Sequence, residues 1–162
     1  MTGLPIVSLR RHAALLVGCI IVSFVPGVFG AQFQPGDWYA RLAQSPLTPP
    51  GWVFPIVWTT LYITIGVALY GMLIDTSGRE RRIPVAVFVI QLVLNGAWSQ
   101  VFFGSHAVAA ALIEIGALWL SIVAMVFAFA RHSRFAGKLL LPYLAWVSFA
   151  TYLNFEIWRA NT

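Results

Sequence analysis

An all-α integral membrane protein, a single bundle of five transmembrane helices, is the fold that this 162-residue sequence predicts. Five apolar stretches occupy most of the chain, at about 13–31, 53–74, 84–103, 107–130 and 136–158. A helix rises about 1.5 Å per residue, so about 20 apolar residues cross the roughly 30 Å hydrocarbon core of a bilayer. The composition agrees: 60% of residues are hydrophobic and 9% are charged, with a mean hydropathy of +0.83. A soluble domain carries about 25% charged residues, so this surface is built for lipid. The length leaves no room for a second folded unit beside one membrane domain spanning 1–162.

The first stretch follows Arg10 and Arg11 and ends near the small residues Gly30 and Ala31. A secretory signal has the same order of features, but its apolar core usually runs about 7–15 residues. The longer run here is expected to be a retained helix. Between the first and second stretches lies the one long connection, 32–51, with Pro35, Pro46, Pro49 and Pro50 and the aromatic pair Trp38-Tyr39. Proline fixes φ and removes a donor, so the segment is stiff. Long loops in compact domains are usually functional or disordered, and this composition argues against disorder. A lid over a binding site is the expectation, with a passive interfacial anchor as the plainer alternative.

The third stretch, 84–103, carries Gln91, Asn95, Trp98, Ser99 and Phe102 at spacings of three and four, which place them on one helical face. Hydrocarbon cannot pair an amide, so this face turns inward, as interhelical glue or as the wall of a ligand site. The fifth stretch repeats the pattern with Tyr143, Trp146, Ala150 and Leu153 or Asn154. The second opens with Trp52, Phe54 and Trp58 and continues to Tyr62. Aromatic residues at helix ends often form only the interfacial belt, but Trp58 and Trp146 lie a turn or two deeper. Three helices presenting indole and phenol rings beside one amide face make a pocket for a planar, largely hydrophobic ligand.

Glu114 lies about two turns into the fourth stretch, where an ionisable group is a functional candidate by default. A proton-coupled transporter of hydrophobic substrates is the alternative function that it suggests; no second mid-span acid completes a relay. Other chemistry has little support. Cys19 is the single cysteine, His12, His106 and His132 fall at stretch ends, and no phosphate-binding glycine loop or serine elbow is present. No intrinsic cofactor and no metal site are therefore expected. The net charge of +5 reflects topology more than nucleic-acid binding, for which nothing else argues. Arg10, Arg11, Arg79, Arg81, Arg82, Arg131, Arg134 and Lys138 collect at one side of the five-stretch bundle, against Arg41 and Arg159 at the other. The positive-inside rule then puts the N-terminus in the cytoplasm and the long loop and C-terminus on the opposite side.

Several short motifs together resemble one family. Trp38-Tyr39, then Pro49-Pro50-Gly51-Trp52-Val53-Phe54-Pro55 with Trp58, look like the tryptophan-rich sensory proteins, the bacterial branch of the translocator protein (peripheral-type benzodiazepine receptor) family. Gln91-Leu92 with Asn95, Trp98 and Phe102-Phe103-Gly104 resembles its third helix. Leu141-Pro142-Tyr143-Leu144-Ala145-Trp146 and Ala150-Thr151-Tyr152-Leu153-Asn154 resemble its fifth. The likeness runs from about 27 to 161. It implies a five-helix bundle in the bacterial cell envelope, usually a homodimer, with a pocket beneath the first loop that binds protoporphyrin IX, haem or synthetic isoquinoline carboxamides and benzodiazepines. Some bacterial members promote light-dependent breakdown of protoporphyrin, and others regulate pigment or stress responses. The implied ligand-binding set here is Trp38, Tyr39, Trp58, Tyr62, Asn95, Trp98, Ser99, Trp146 and Ala150, with Trp58 and Trp146 catalytic if photodegradation occurs. Two departures stand out. Gln44-Ser45-Pro46-Leu47-Thr48 has Leu47 where the family has an aromatic residue, and Phe155 replaces the tyrosine of the cholesterol-associated pattern, so cholesterol transport is not expected.

Overall fold

The computed structural model describes residues 6–162. Helix α1 (Ile6–Ser23) is followed after Phe24 by the short α2 (Val25–Gly30). Pro26 stands at the start of α2, where it needs no donor; continued from α1, it would have cost the helix a hydrogen bond. The expected first span is thus two helices in sequence. The long loop holds one helical turn, α3 (Asp37–Arg41), before α4 (Val53–Ile74). A short 3₁₀ turn, Gly78–Arg81, leads into α5 (Arg82–Ser99), which ends in a π-helical turn, Gln100–Gly104. Then come α6 (Val108–Ala130), α7 (Arg134–Leu139) and α8 (Leu141–Asn161).

Local chemistry explains the boundaries. Arg81 closes α4 by donating from Nη2 to the Leu73 carbonyl at 2.7 Å and from Nε to the Thr76 carbonyl at 2.8 Å, a cation on otherwise orphaned carbonyls. Ser133 caps α7, its Oγ accepting from the Ala136 amide at 3.5 Å. The expected fifth stretch, 136–158, is corrected by a break at Leu140: Pro142 sits in the first turn of α8, so the long helix begins there and runs to Asn161.

Four helical segments are long and apolar enough to cross a membrane: Leu9–Gly30, Val53–Ile74, Gly78–Gly104 and Val108–Ala130. Helix α8, at 21 residues, is one residue shorter than the shortest of them. Its Ser148, Thr151, Asn154, Glu156 and Arg159 leave it less apolar. The packing order is α1 on α4, α5 on α6, α6 on α8 and on α7, α2 on α5, and α4 on α7. The outside of the bundle is apolar, with Ile21, Ile56, Val93, Ile113, Leu120 and Phe127 exposed, while Gln91, Asn95 and Asn154 are buried, as are Ile65, Met72, Ile122 and Met125. A water-soluble protein would reverse that arrangement; lipid as solvent requires it, because unpaired polar groups must find partners inside. The chain is an integral membrane protein.

Helix α1 reaches α4 through Gly66. A Cβ there would lie 2.6 Å from the Ile20 Cα, so the two backbones are in direct contact. Small residues are what allow such approach between helices in lipid. Replacing Gly66 with Val should therefore separate α1 from α4 and destabilise the fold by about 1–3 kcal/mol. A thermal melt in detergent checks this; a midpoint unchanged from the parent protein would contradict the close contact.

Candidate functional site

A cavity of about 510 Å³ opens beneath the long loop, between α2, α4, α5, α6 and α8. That size falls within the roughly 300–1,000 Å³ of small-molecule sites. Its floor is polar. The Tyr62 hydroxyl donates to Asn95 Oδ1 at 2.9 Å, and Asn95 Nδ2 donates to the Tyr143 hydroxyl at 2.8 Å. Tyr143 in turn donates to Gln91 Oε1 at 3.0 Å. One hydrogen-bonded chain so ties α4, α5 and α8 together. Tyr62 and Asn95 line the cavity; Tyr143 and Gln91 lie behind them, fully buried. Asn95 keeps one amide hydrogen beyond the bond to Tyr143.

The walls are aromatic. Trp58 stacks on Tyr62, one turn below it on α4, with ring centroids 5.4 Å apart and planes at 28°, and meets Tyr143 edge-on at 6.3 Å. On the α8 side Trp146 meets Phe54 edge-on at 5.8 Å, and Ala150 one turn further leaves the space that a larger side chain would fill. On α5, Trp98 stacks on Phe102 at 5.0 Å, and its indole donates to Asn154 Oδ1 at 3.1 Å. Asn154 then donates to the Val108 carbonyl at 3.2 Å, so Trp98 is oriented from both α6 and α8. The Trp146 indole nitrogen is buried and has no partner.

The roof is the long loop, which contributes Phe33, Gln34, Tyr39, Gln44, Thr48 and Pro49. Tyr39 rests edge-on against Phe103 at 5.4 Å and Phe102 at 6.0 Å. Burial pushes its hydroxyl above the ordinary value of 10.0, so it stays a neutral phenol at physiological pH.

Eight of the nine residues singled out as ligand-binding in the sequence meet at this cavity: Tyr39, Trp58, Tyr62, Asn95, Trp98, Ser99, Trp146 and Ala150. Trp38 does not. Adjacent residues on a helix point about 100° apart, so with Tyr39 turned inward Trp38 turns away. It stacks on His106 at 4.1 Å with planes at 14°, and meets Phe102 edge-on at 5.8 Å. Its place is in the fastening of the roof. Sequence reasoning missed the contribution of α2, whose Gly27 and Gly30 line the cavity. A Cβ at Gly27 would fall 2.6 Å from the Tyr62 ring, and one at Gly30 2.8 Å from the Ser99 hydroxyl. Small residues in a membrane helix are a signal for such close approach, though these two are three apart and not the usual four. Ile115 and Leu118 of α6 were missed as well, being ordinary apolar residues in an apolar helix.

Glu114 lies on α6 beside this wall, adjacent to Ile115 and one turn before Leu118. Both its carboxyl oxygens are buried and neither has a hydrogen-bond partner. Among the described residues no group of three or more His, Cys, Asp or Glu side chains is placed to hold a metal ion. The arrangement offers flat apolar walls, an amide–phenol floor and a covering loop.

Known proteins share this chain almost end to end. The TspO/MBR family model matches residues 14–159. The tryptophan-rich protein TspO of Chlorobaculum tepidum is 45% identical over 152 residues, covering 91% of this chain and 94% of that protein. The tryptophan-rich sensory protein of Cereibacter sphaeroides is 36% identical over 149 residues, 91% of this chain and 92% of its own. Bovine (Bos taurus) translocator protein is 35% identical over 150 residues, 90% and 89% respectively. With a match running from α1 to the last turn of α8, the chain belongs to the TspO/MBR family.

Proposed function

We propose that the roofed cavity binds a tetrapyrrole, protoporphyrin IX or haem, and that the protein serves in porphyrin sensing, transport or light-dependent degradation. The observation that carries this reading is the lining itself: Trp58, Trp98 and Trp146 stand on three different helices around a cavity whose floor is the Tyr62–Asn95 pair. Stacking on indole faces suits a planar aromatic macrocycle, and position in a bilayer suits one that partitions into lipid. The remaining amide hydrogens of Asn95, Gln34 and Gln44 and the unpartnered indole N–H of Trp146 are among the donors available for its carboxylate arms. In the light, the porphyrin is the absorber; of the three indoles in the wall, Trp58 and Trp146 are the proposed oxidisable partners.

The same reading takes α8 as a fifth crossing. Trp38 stacked on His106, and Ala43 hydrogen-bonded to Asn161, put the long loop, the α5–α6 turn and the end of α8 at one end of the bundle. His12 bonded to Tyr70 at 3.0 Å puts the start of α1 near the end of α4. The basic residues Arg79, Arg81, Arg82, Arg131, Arg134 and Lys138 then face the cytoplasm, with the roof on the far side. A homodimer in the bacterial cell envelope is the assembly proposed.

One observation favours a second reading. Two buried, unpartnered oxygens on the half-buried Glu114 are unusual for a structural residue, since such groups are normally hydrogen-bonded. A transporter that couples hydrophobic substrate movement to protons would use such a carboxyl.

Two experiments separate these readings. Titrating protoporphyrin IX in the dark into nanodisc-embedded protein should quench tryptophan fluorescence saturably. Trp58→Ala should weaken binding about ten-fold, which corresponds to about 1.4 kcal/mol. Under light, Trp146→Phe should slow loss of the porphyrin spectrum far more than it lowers dark affinity. Quenching no more saturable than in protein-free nanodiscs would reject the porphyrin site, and equal losses of affinity and photodegradation would reject a redox role for Trp146. For the transport reading, Glu114→Gln should abolish pH-dependent substrate flux in proteoliposomes while leaving dark porphyrin binding intact; undiminished flux would remove it.

A further inference from the structure

Beside the packing of Tyr39 and Leu42 on the cluster around Phe102, two fastenings, one at each end of α3, hold the roof to the rest of the molecule. At the first, Trp38 stacks on His106 in the turn between α5 and α6. His106 has φ +53°, left-handed backbone that a residue with a side chain seldom adopts. The second lies 118 residues apart in sequence. The Ala43 amide donates to Asn161 Oδ1 at 3.0 Å, and Asn161 Nδ2 donates back to the Ala43 carbonyl at 3.0 Å. The same Nδ2 also donates to the Ile157 carbonyl at 2.7 Å, which holds the amide against its own helix and aims it at the loop. Between the fastenings Tyr39 turns into the cavity, and Gln44, which follows Ala43 directly, lines it too. Gln44 Nε2 donates to the Tyr39 carbonyl at 3.1 Å, which links the two residues directly.

The two fastenings differ in kind. Around Trp38 the contact is aromatic and shared with Phe102, at the centre of a small buried cluster. The Asn161 pair is solvent-exposed, so water replaces its bonds readily when they open. An exposed pair of reciprocal hydrogen bonds that holds a cavity-lining segment is suited to opening reversibly. Segments that must move are drawn from such weakly held parts of a fold.

We propose that Asn161 is the latch of the cavity: release of its paired hydrogen bonds to Ala43 lets the Tyr39–Gln44 segment lift while the Trp38–His106 stack acts as the hinge. Asn161 does not line the cavity and so is a positioning residue, controlling how fast a ligand enters and leaves. This inference rests on the cavity being the ligand site proposed above.

The test is kinetic. Stopped-flow mixing of protoporphyrin IX in the dark with nanodisc-embedded protein gives association and dissociation rates. Asn161→Ala should raise both rates together, by about five- to ten-fold, as expected for loss of two exposed hydrogen bonds. Kd should change less than about two-fold, and the thermal midpoint should stay that of the parent. Asn161→Asp retains an acceptor for the Ala43 amide but loses the donor to its carbonyl, and should fall between the two. A faster dissociation with unchanged association would overturn the latch, because Asn161 would then stabilise the occupied state alone; so would two unchanged rates. Hydrogen exchange of residues 38–48 in the ligand-free protein tests the same contact without any ligand. Asn161→Ala should increase it, and unchanged exchange would overturn the latch. Should the parent protein show no saturable porphyrin binding, that would count against the ligand reading, and the exchange result would still decide the latch.

Discussion

Everything about this bundle turns on how four polar side chains pair with one another in a medium that offers no partners, with only the Gln91 amide nitrogen left over. Tyr62, Asn95, Tyr143 and Gln91 form a single line of donors and acceptors across α4, α5 and α8. Water would compete for each of these bonds; hydrocarbon cannot. Interhelical hydrogen bonds in membranes contribute roughly 0.6–2 kcal/mol each, so the line is a modest source of stability. Its stronger effect is on geometry. The three bonds of such a chain form together in one relative placement of three helices, and in that placement the space above it stays open.

The cavity is therefore a consequence of how the helices are spaced, with side chains chosen to line the gap instead of filling it. Ala150 leaves room where a bulky residue would close the wall, and the glycines of α2 bring backbone against Tyr62 and Ser99. The indoles of Trp58 and Trp98 are held by stacking on Tyr62 and Phe102, and Trp98 is fixed further by Asn154. Rings supported on one face and edge leave their other surfaces to the cavity. The roof completes the enclosure at the end of the bundle where α8 finishes.

Much of this was legible in the sequence because it lies along single helices. The face of Gln91, Asn95, Trp98, Ser99 and Phe102 follows from helical spacing alone, as does that of Tyr143, Trp146 and Ala150; lipid leaves one direction for amides to point. Other parts depend on placements that no periodicity records. Trp38 sits beside Tyr39 in the chain, yet the two face different ways on a single turn of helix, and nothing local says which faces in. The break at Leu140 is carried by Pro142, a signal that the run of apolar residues on either side masks. The bond between Ala43 and Asn161 joins a loop to the far end of the chain, and only the closed bundle brings them together.

The central claim is that the space above the Tyr62–Asn95 floor is where a tetrapyrrole sits. An experimental structure of the protein in nanodiscs, equilibrated with protoporphyrin IX in the dark, tests it most directly. The account predicts macrocycle density between the long loop and that floor, against Trp58, Trp98 and Trp146, with the hydrogen-bonded line to Gln91 unbroken. Macrocycle density on the lipid-facing surface, with the roofed space still open, would contradict it.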